Sequence, residues 1–222
     1  MAVNKQAYQQ IAGDLASHRV TLVAVSKTKT VEEIKEVYDL GQRDFGENYV
    51  QELLTKQTLL PADIRWHFIG HLQSNKVKAI APFIHLIQSV DTLKLLEEIN
   101  KQAKKNSRVI DCLLQVHISQ EETKFGFDET ELEKVVTTLR NDLLKNIRVA
   151  GLMGMASLTG DMNKVRSEFH KLRRIFDQFS NQSNTDDRWS TLSMGMSGDY
   201  HLAIEEGSTM VRIGSLIFGA RS

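Results

Sequence analysis

The sequence predicts one α/β domain folded as a (β/α)8 barrel, with an extra helix ahead of the first strand. Three observations carry that reading. The chain has 222 residues, a routine size for a single-domain α/β barrel. Apolar or β-branched runs alternate with segments of helical period, and eight such runs can be counted. No Pro-, Gly- or Ser-rich linker separates two halves, so residues 1–222 read as one domain. An open, doubly wound sheet is the alternative architecture.

The elements follow in order. Strands are expected at 21–26, 43–47, 65–70, 84–90, 108–118, 147–153, 189–194 and 209–214, where Val, Ile, Leu and aromatic residues cluster between polar segments. Helices are expected between them. Thr30 with Glu33 reads as a capping box before Val31, Ile34, Val37 and Tyr38. Asp91 precedes Leu93, Leu95, Leu96 and Ile99, and Asp128 precedes Leu132, Val135, Val136 and Leu139. Val165, Phe169, Leu172, Ile175, Phe176 and Phe179 form an apolar stripe that reads as core. The polar cluster 181–188 reads as a loop between a helix and a strand.

Composition narrows the function classes. Lysine plus arginine equals aspartate plus glutamate, 28 each, which gives no reason to expect a nucleic-acid or membrane partner. The one cysteine, Cys112, cannot form an internal disulfide and reads as a small buried hydrophobe. The N-terminus lacks the charged start and apolar stretch of a secretory signal. No apolar run approaches the ~18 residues of a membrane span. The expectation is a cytoplasmic protein, and the lack of a large apolar surface stripe points to a monomer.

A barrel of this kind works at the C-terminal ends of its strands, so the residues there are the candidates. Lys27 follows the first strand; Glu47 and Asn48 follow the second; Gly70 and His71 follow the third. The seventh ends in Ser193-Met-Gly-Met-Ser-Gly-Asp and the eighth in Arg212-Ile-Gly-Ser. Small residues and hydroxyls where a strand meets a helix suit an anion, and the loops after strands seven and eight are the usual phosphate site. A lysine amine beside a phosphate site suits a ligand with both a carbonyl and a phosphate. Pyridoxal 5'-phosphate and sugar phosphates both qualify. Arg212, two residues before Gly214, points the way of the phosphate loop, where a cation could meet a pyridine nitrogen and keep it unprotonated. Taken singly, these residues have ordinary readings. Lys27 could be a surface lysine, His71 and His67 structural hydrogen-bonders, Glu47 a helix cap, Lys124-Phe-Gly a turn, and Met153, Met155, Met194 and Met196 packing.

The stretches Ala-Val-Ser-Lys-Thr-Lys, Phe-Gly-Glu-Asn-Tyr-Val-Gln-Glu, Trp-His-Phe-Ile-Gly-His-Leu-Gln-Ser-Asn-Lys, Lys-Phe-Gly, Gly-Leu-Met-Gly-Met-Ala, Leu-Ser-Met-Gly-Met-Ser-Gly-Asp-Tyr and Val-Arg-Ile-Gly-Ser-Leu-Ile-Phe-Gly together resemble the YggS/PROSC family of pyridoxal-phosphate homeostasis proteins. The resemblance runs from about residue 8 to the C-terminus. It implies a single barrel like the N-terminal domain of alanine racemase, of fold type III, and a Lys27 that carries pyridoxal 5'-phosphate as an internal aldimine. It further implies phosphate binding by Ser197, Gly214 and Ser215, an Arg212 that faces the pyridine nitrogen, and a pocket lined by Asn48 and Ser193. Family members are not known for a clear catalytic activity. They bind and buffer the cofactor, and cofactor-dependent apo-enzymes are the partners this implies.

Three functions remain in competition: a carrier or regulator without catalysis, a racemase-like enzyme acting on amino acids, and an aldolase acting on a sugar phosphate. In alanine racemases a tyrosine from a second, β-rich domain is the opposite-face base. The sequence reaches Ser222 soon after Arg-Ile-Gly-Ser, and the nearest loop tyrosine, Tyr200, lies in the phosphate motif, so the carrier is the expectation. Lys29 keeps the aldolase open, because it could point the way Lys27 does.

Overall fold

The computed structural model describes residues 3–119, 125–140, 144–180 and 189–219. Eight parallel strands close into a barrel in sequence order. They are β1 (Thr21–Val25), β2 (Asp44–Glu47), β3 (Arg65–Phe68), β4 (Leu86–Val90), β5 (Ile110–Val116), β6 (Ile147–Gly154), β7 (Thr191–Met196) and β8 (Met210–Ile213). All the expected strands are present. The first and last pair directly, Val23 opposite Arg212 and Ala24 opposite Ile213, and this closure replaces the open-sheet alternative.

Helix α1 (Lys5–Ser17) precedes the barrel, and its leading residue Asn4 donates its N–H to the Ile217 carbonyl at 2.8 Å. Helix α2 (Val31–Asp39) opens as its sequence predicts: the Glu33 N–H donates to Thr30 Oγ1 and the Thr30 N–H donates back to the Glu33 carboxylate. Helices α3 (Val50–Leu59) and α4 (Val77–Ile80) follow β2 and β3. Helix α5 (Leu93–Lys105) is capped by Thr92, whose hydroxyl accepts the Leu95 N–H at 3.2 Å, and not by Asp91. Helix α6 (Glu129–Arg140) starts on a reciprocal pair between Asp128 and Glu131. Helix α7 (Met162–Ser180) buries the whole predicted stripe from Val165 to Phe179. Two short helices, α8 (Tyr200–Glu205) and α9 (Ser215–Phe218), flank β8. The expected loop at 181–188 and Lys124 lie outside the described residues.

Strand side chains alternate between two apolar layers, as the period of two requires. Outward residues such as Ala24, Phe45 and Ile87 pack under the helices with Leu53, Phe169 and Phe218. Truncating a buried phenylalanine in such a layer costs roughly 3–5 kcal/mol. Inward residues Val23, Leu86, Leu113, Met153 and Met210 plug the barrel. Cys112 is fully buried, and burial pushes its thiol well above the usual range, so it packs and does not react. Among the described residues no helix is long and apolar enough to cross a membrane.

Candidate functional site

The apolar run of β1 ends at Ser26, and the chain turns there because the Lys29 N–H donates to the Ser26 carbonyl at 3.0 Å. Lys27 and Thr28 are the central residues of this turn. Thr28 has φ +63°, a region β-branched residues rarely enter. A network that runs from the surface into the wall of the barrel holds it there. The Thr28 N–H donates to Glu52 Oε2 at 2.9 Å, and Lys56 Nζ donates to that same oxygen at 3.0 Å. Lys56 Nζ also reaches the Ser26 carbonyl and Glu47 Oε1, each at 2.8 Å, and Ser26 Oγ donates to Glu47 Oε1 at 2.6 Å. So Glu47 does not cap α3. It lies between β2 and α3, where burial pushes its carboxyl up to about 7 against the downward pull of Lys56 and Ser26. The lysine that breaks the apolar run therefore stands on a turn braced from outside the barrel.

Lys27 opens onto a cavity of about 410 Å³ at the C-terminal ends of the strands. Asn48, Ser197, Arg212, Gly214 and Ser215 line the same cavity, as does Lys29. The Lys29 amine is committed: it donates to the Phe218 carbonyl at 2.9 Å and lies 3.8 Å from Glu33. Ser193, expected at the pocket wall, lies fully buried beneath it. There its hydroxyl and carbonyl accept Arg212 Nη1 at 2.6 and 3.0 Å, while the Gly154 carbonyl accepts Nη2 at 3.0 Å. These three bonds fix the plane of the guanidinium and, among the described residues, leave two of its five N–H groups without a partner. Burial lowers the Arg212 pKa to about 10, with Asp199 opposing the shift, and the side chain stays charged at neutral pH.

The wall after β7 and β8 is held together locally. The Gly214 N–H donates to Ser197 Oγ at 3.4 Å, and the Met196 N–H donates to Asp199 Oδ1 at 2.6 Å. A Cβ on Gly214 would stand 3.1 Å from the Val25 carbonyl oxygen and 3.3 Å from Val25 Cβ, so β1 leaves little room for a side chain at that point. Glycine is also required at Gly70, where a Cβ would fall 2.4 Å from the Asn48 carbonyl oxygen. That close pass seats Asn48 on the cavity. Its buried Oδ1 has no hydrogen-bond partner among the described residues.

His71 lies in a separate cleft, paired with Asp91 at 3.0 Å and stacked on Phe125. Among the described residues one group, Asp44, His67 and His85, gathers metal-type ligand atoms, but Arg65 already engages both Asp44 oxygens. Sequence reasoning missed Glu52, Lys56 and Gln88. The first two look like ordinary helix charges until α3 is docked. Gln88 did carry a signal, as a polar residue two positions from Leu86 in the apolar run Leu-Ile-Gln-Ser-Val.

The family model described as alanine racemase, N-terminal domain, matches residues 4–222, and with the geometry above it puts the molecule in the class of alanine-racemase-type barrels. Alanine racemase from Streptomyces coelicolor superposes with a TM-score of 0.80 over 99% of this chain and 60% of its own, at 15% identity, a likeness of fold alone. Two relatives are nearer. The pyridoxal phosphate homeostasis protein of Aquifex aeolicus is 44% identical over 90% of this chain and 86% of its own length. PipY of Synechococcus elongatus, solved with PLP bound, is 35% identical with a TM-score of 0.84, covering 96% of this chain and 100% of that one. The chain belongs to the family of pyridoxal phosphate homeostasis proteins.

Proposed function

We propose that this protein holds pyridoxal 5'-phosphate through Lys27 and serves the homeostasis of that cofactor as a carrier, without turning substrates over. The observation that carries the reading is that the Lys27 amine, the Arg212 guanidinium and the wall of Ser197, Gly214 and Ser215 share one cavity. The donor set fits the group: an amine for its aldehyde, hydroxyls and backbone N–H groups for its phosphate, and a cation for its ring nitrogen. The unengaged Asn48 Oδ1 adds a spare acceptor beside them. When bound, the cofactor supplies an electron-withdrawing ring. Arg212, kept charged, disfavours protonation of the ring nitrogen and so weakens that ring as an electron sink. Ser193 acts through Arg212, as the residue it rests on.

The printed names of the relatives support the same reading, since one is a pyridoxal phosphate homeostasis protein and another was solved with PLP bound. In this reading the protein is a cytoplasmic monomer and cofactor-dependent apo-enzymes receive its cargo. An aldolase would need a second proton-transfer group beside Lys27, and Lys29 is tied to the Phe218 carbonyl. The test is the absorption spectrum of the purified protein after incubation with pyridoxal 5'-phosphate. We expect a visible band in the wild type, lost on borohydride reduction with the cofactor then fixed to the chain, and no such band in Lys27→Ala. Lys29→Ala and Lys76→Ala should keep it. A colourless wild type, or a band of normal strength in Lys27→Ala, overturns the reading.

A further inference from the structure

The interior of the barrel carries a line of hydrogen bonds from one mouth to the other. Arg212 Nη1 donates to Ser193 Oγ at 2.6 Å, and Ser193 Oγ donates to Gln88 Oε1 at 2.7 Å. Gln88 Nε2 lies 3.0 Å from His67 Nδ1, and His67 Nε2 lies 3.0 Å from Asp44 Oδ1. The five residues come from β8, β7, β4, β3 and β2, so the line crosses the barrel instead of following its wall. At the top, Arg212 lines the cavity of Lys27. At the bottom, Asp44 and His67 line a second pocket, whose other walls include the strand-opening residues Thr21, Arg65 and Thr191.

The direction of the line is determined by its members. Ser193 Oγ accepts from the guanidinium and donates its own proton to Gln88 Oε1. Gln88 accepts that proton with its carbonyl, which turns its amide N–H toward His67; a further contact from Nε2 to Met210 Sδ at 3.2 Å holds the same orientation. His67 Nδ1 must then accept, and its Nε2–H donates to Asp44. Each link donates the same way, from a buried cation to a carboxylate. Burial disfavours charge on Asp44, yet the hydrogen bonds from Arg65 and His67 outweigh it and hold this carboxyl well below the usual range.

Stability alone does not account for this line. The interiors of such barrels are filled by branched apolar side chains. A buried polar chain is tolerable only when every member is satisfied, and apolar replacements of similar volume are often no worse. Gln88 and Ser193 are fully buried, and His67 is 1% exposed.

We propose that Gln88 and His67 are positioning residues for Arg212: through Ser193 they anchor the guanidinium from the opposite end of the barrel, so that its unused N–H groups face the cavity. This rests on the proposed function, in which Arg212 meets the ring nitrogen of the cofactor. It predicts that a change at a residue outside the cavity alters how Arg212 is held even when no cofactor is present.

Three variants test it: Gln88→Met, which removes both links at similar length; Gln88→Glu, which keeps an acceptor for Ser193 and lets a protonated His67 donate; and His67→Leu, one link further away. Arginine-selective 15N NMR on the unloaded chain reads Arg212 directly, and titration with pyridoxal 5'-phosphate reads affinity. Gln88→Met should collapse the separate Nη signals of Arg212 and weaken cofactor binding about tenfold, the effect of one lost hydrogen bond. Gln88→Glu should recover most of both, whereas a purely structural glutamine would make the buried carboxylate the worse substitution. Inorganic phosphate should bind the unloaded chain equally in wild type and variants, because Ser197, Gly214 and Ser215 stand outside the line. Should Gln88→Met fail to fold, His67→Leu carries the test through the same two signals. Unchanged Arg212 signals with unchanged affinity overturn the proposal, and so does an equal loss of phosphate binding. A wild type that binds no pyridoxal 5'-phosphate defeats the proposed function instead, and leaves the NMR arm to decide the positioning on its own.

Discussion

The Thr28 amide donates to Glu52 Oε2 at 2.9 Å while Thr28 itself sits at φ +63°. A left-handed L-residue costs roughly 1–2 kcal/mol, and the Glu52–Lys56–Glu47 network supplies the compensation that keeps Lys27 at the cavity. Thr28→Gly relieves the strain, partly offset by the greater freedom of glycine in the unfolded chain. We expect urea unfolding to show a gain of up to about 1 kcal/mol. Glu52→Ala removes a charge-assisted partner of both the turn and Lys56 and should cost about 1–3 kcal/mol. A loss of stability in Thr28→Gly means the turn stores no strain.

Phosphate recognition is testable at the wall after β7 and β8. Ser197→Ala should weaken binding of pyridoxal 5'-phosphate about tenfold, as expected for a charge-assisted hydrogen bond. Pyridoxal, without the phosphate, should bind the wild type far more weakly than the phosphorylated form, as isothermal titration would show. Gly214→Val, which drives a side chain against Val25, should lose more affinity than Ser197→Ala. Equal affinities for the two forms of the vitamin dismiss the phosphate wall.

Catalysis should be absent or very slow. With Arg212 in its proposed place at the ring nitrogen, a substrate carbanion would be poorly stabilised, and His71 is engaged with Asp91 in another cleft. Holo-protein incubated with L- or D-alanine in deuterated water should show no α-proton exchange by NMR near ordinary enzymatic rates of about 1 to 10³ per second. Exchange at those rates replaces the carrier with an enzyme, and Tyr200 and His201 become the first residues to substitute in search of the base.

Glu47 carries a pH signature. Its carboxyl titrates near 7 in the folded chain against 4.5 as an ordinary glutamate. Between these values the folded state holds a proton that the unfolded state has released, so stability must fall as pH rises through the window. Glu47→Gln cannot titrate. The stability of wild type minus that of Glu47→Gln, measured by urea unfolding from pH 5 to 8, should therefore fall by roughly 1–3 kcal/mol. A difference that grows with pH means Lys56 dominates over burial and the carboxylate is charged throughout.

Much of this molecule is legible in its sequence because the signals are local. The eight strands show as apolar runs and the long helices as stripes of period 3.6, and the capping box at Thr30 and Glu33 declares itself within four residues. The candidate site was legible for a related reason. Strand ends fall on one face once the barrel closes, so Lys27, Asn48, Ser197, Arg212, Gly214 and Ser215 could be gathered without coordinates. Other expectations gave way to contacts distant in sequence. Glu47 pairs with Lys56 on the docked helix instead of capping it. Ser193 serves Arg212 from below instead of lining the cavity.

By itself the sequence determined the order and type of the elements and the chemistry offered at each strand end, because turn, cap and period are properties of neighbours along the chain. The tertiary structure alone decided which of those groups meet. Pairing of β1 with β8 brings Val25 against Gly214 and puts Lys27 and Gly214 on one cavity, and barrel closure lines up Arg212, Ser193, Gln88, His67 and Asp44 from five different strands. Contacts between residues 105 positions apart, such as Ser193 and Gln88, depend on strand register and barrel shear, which no local pattern encodes.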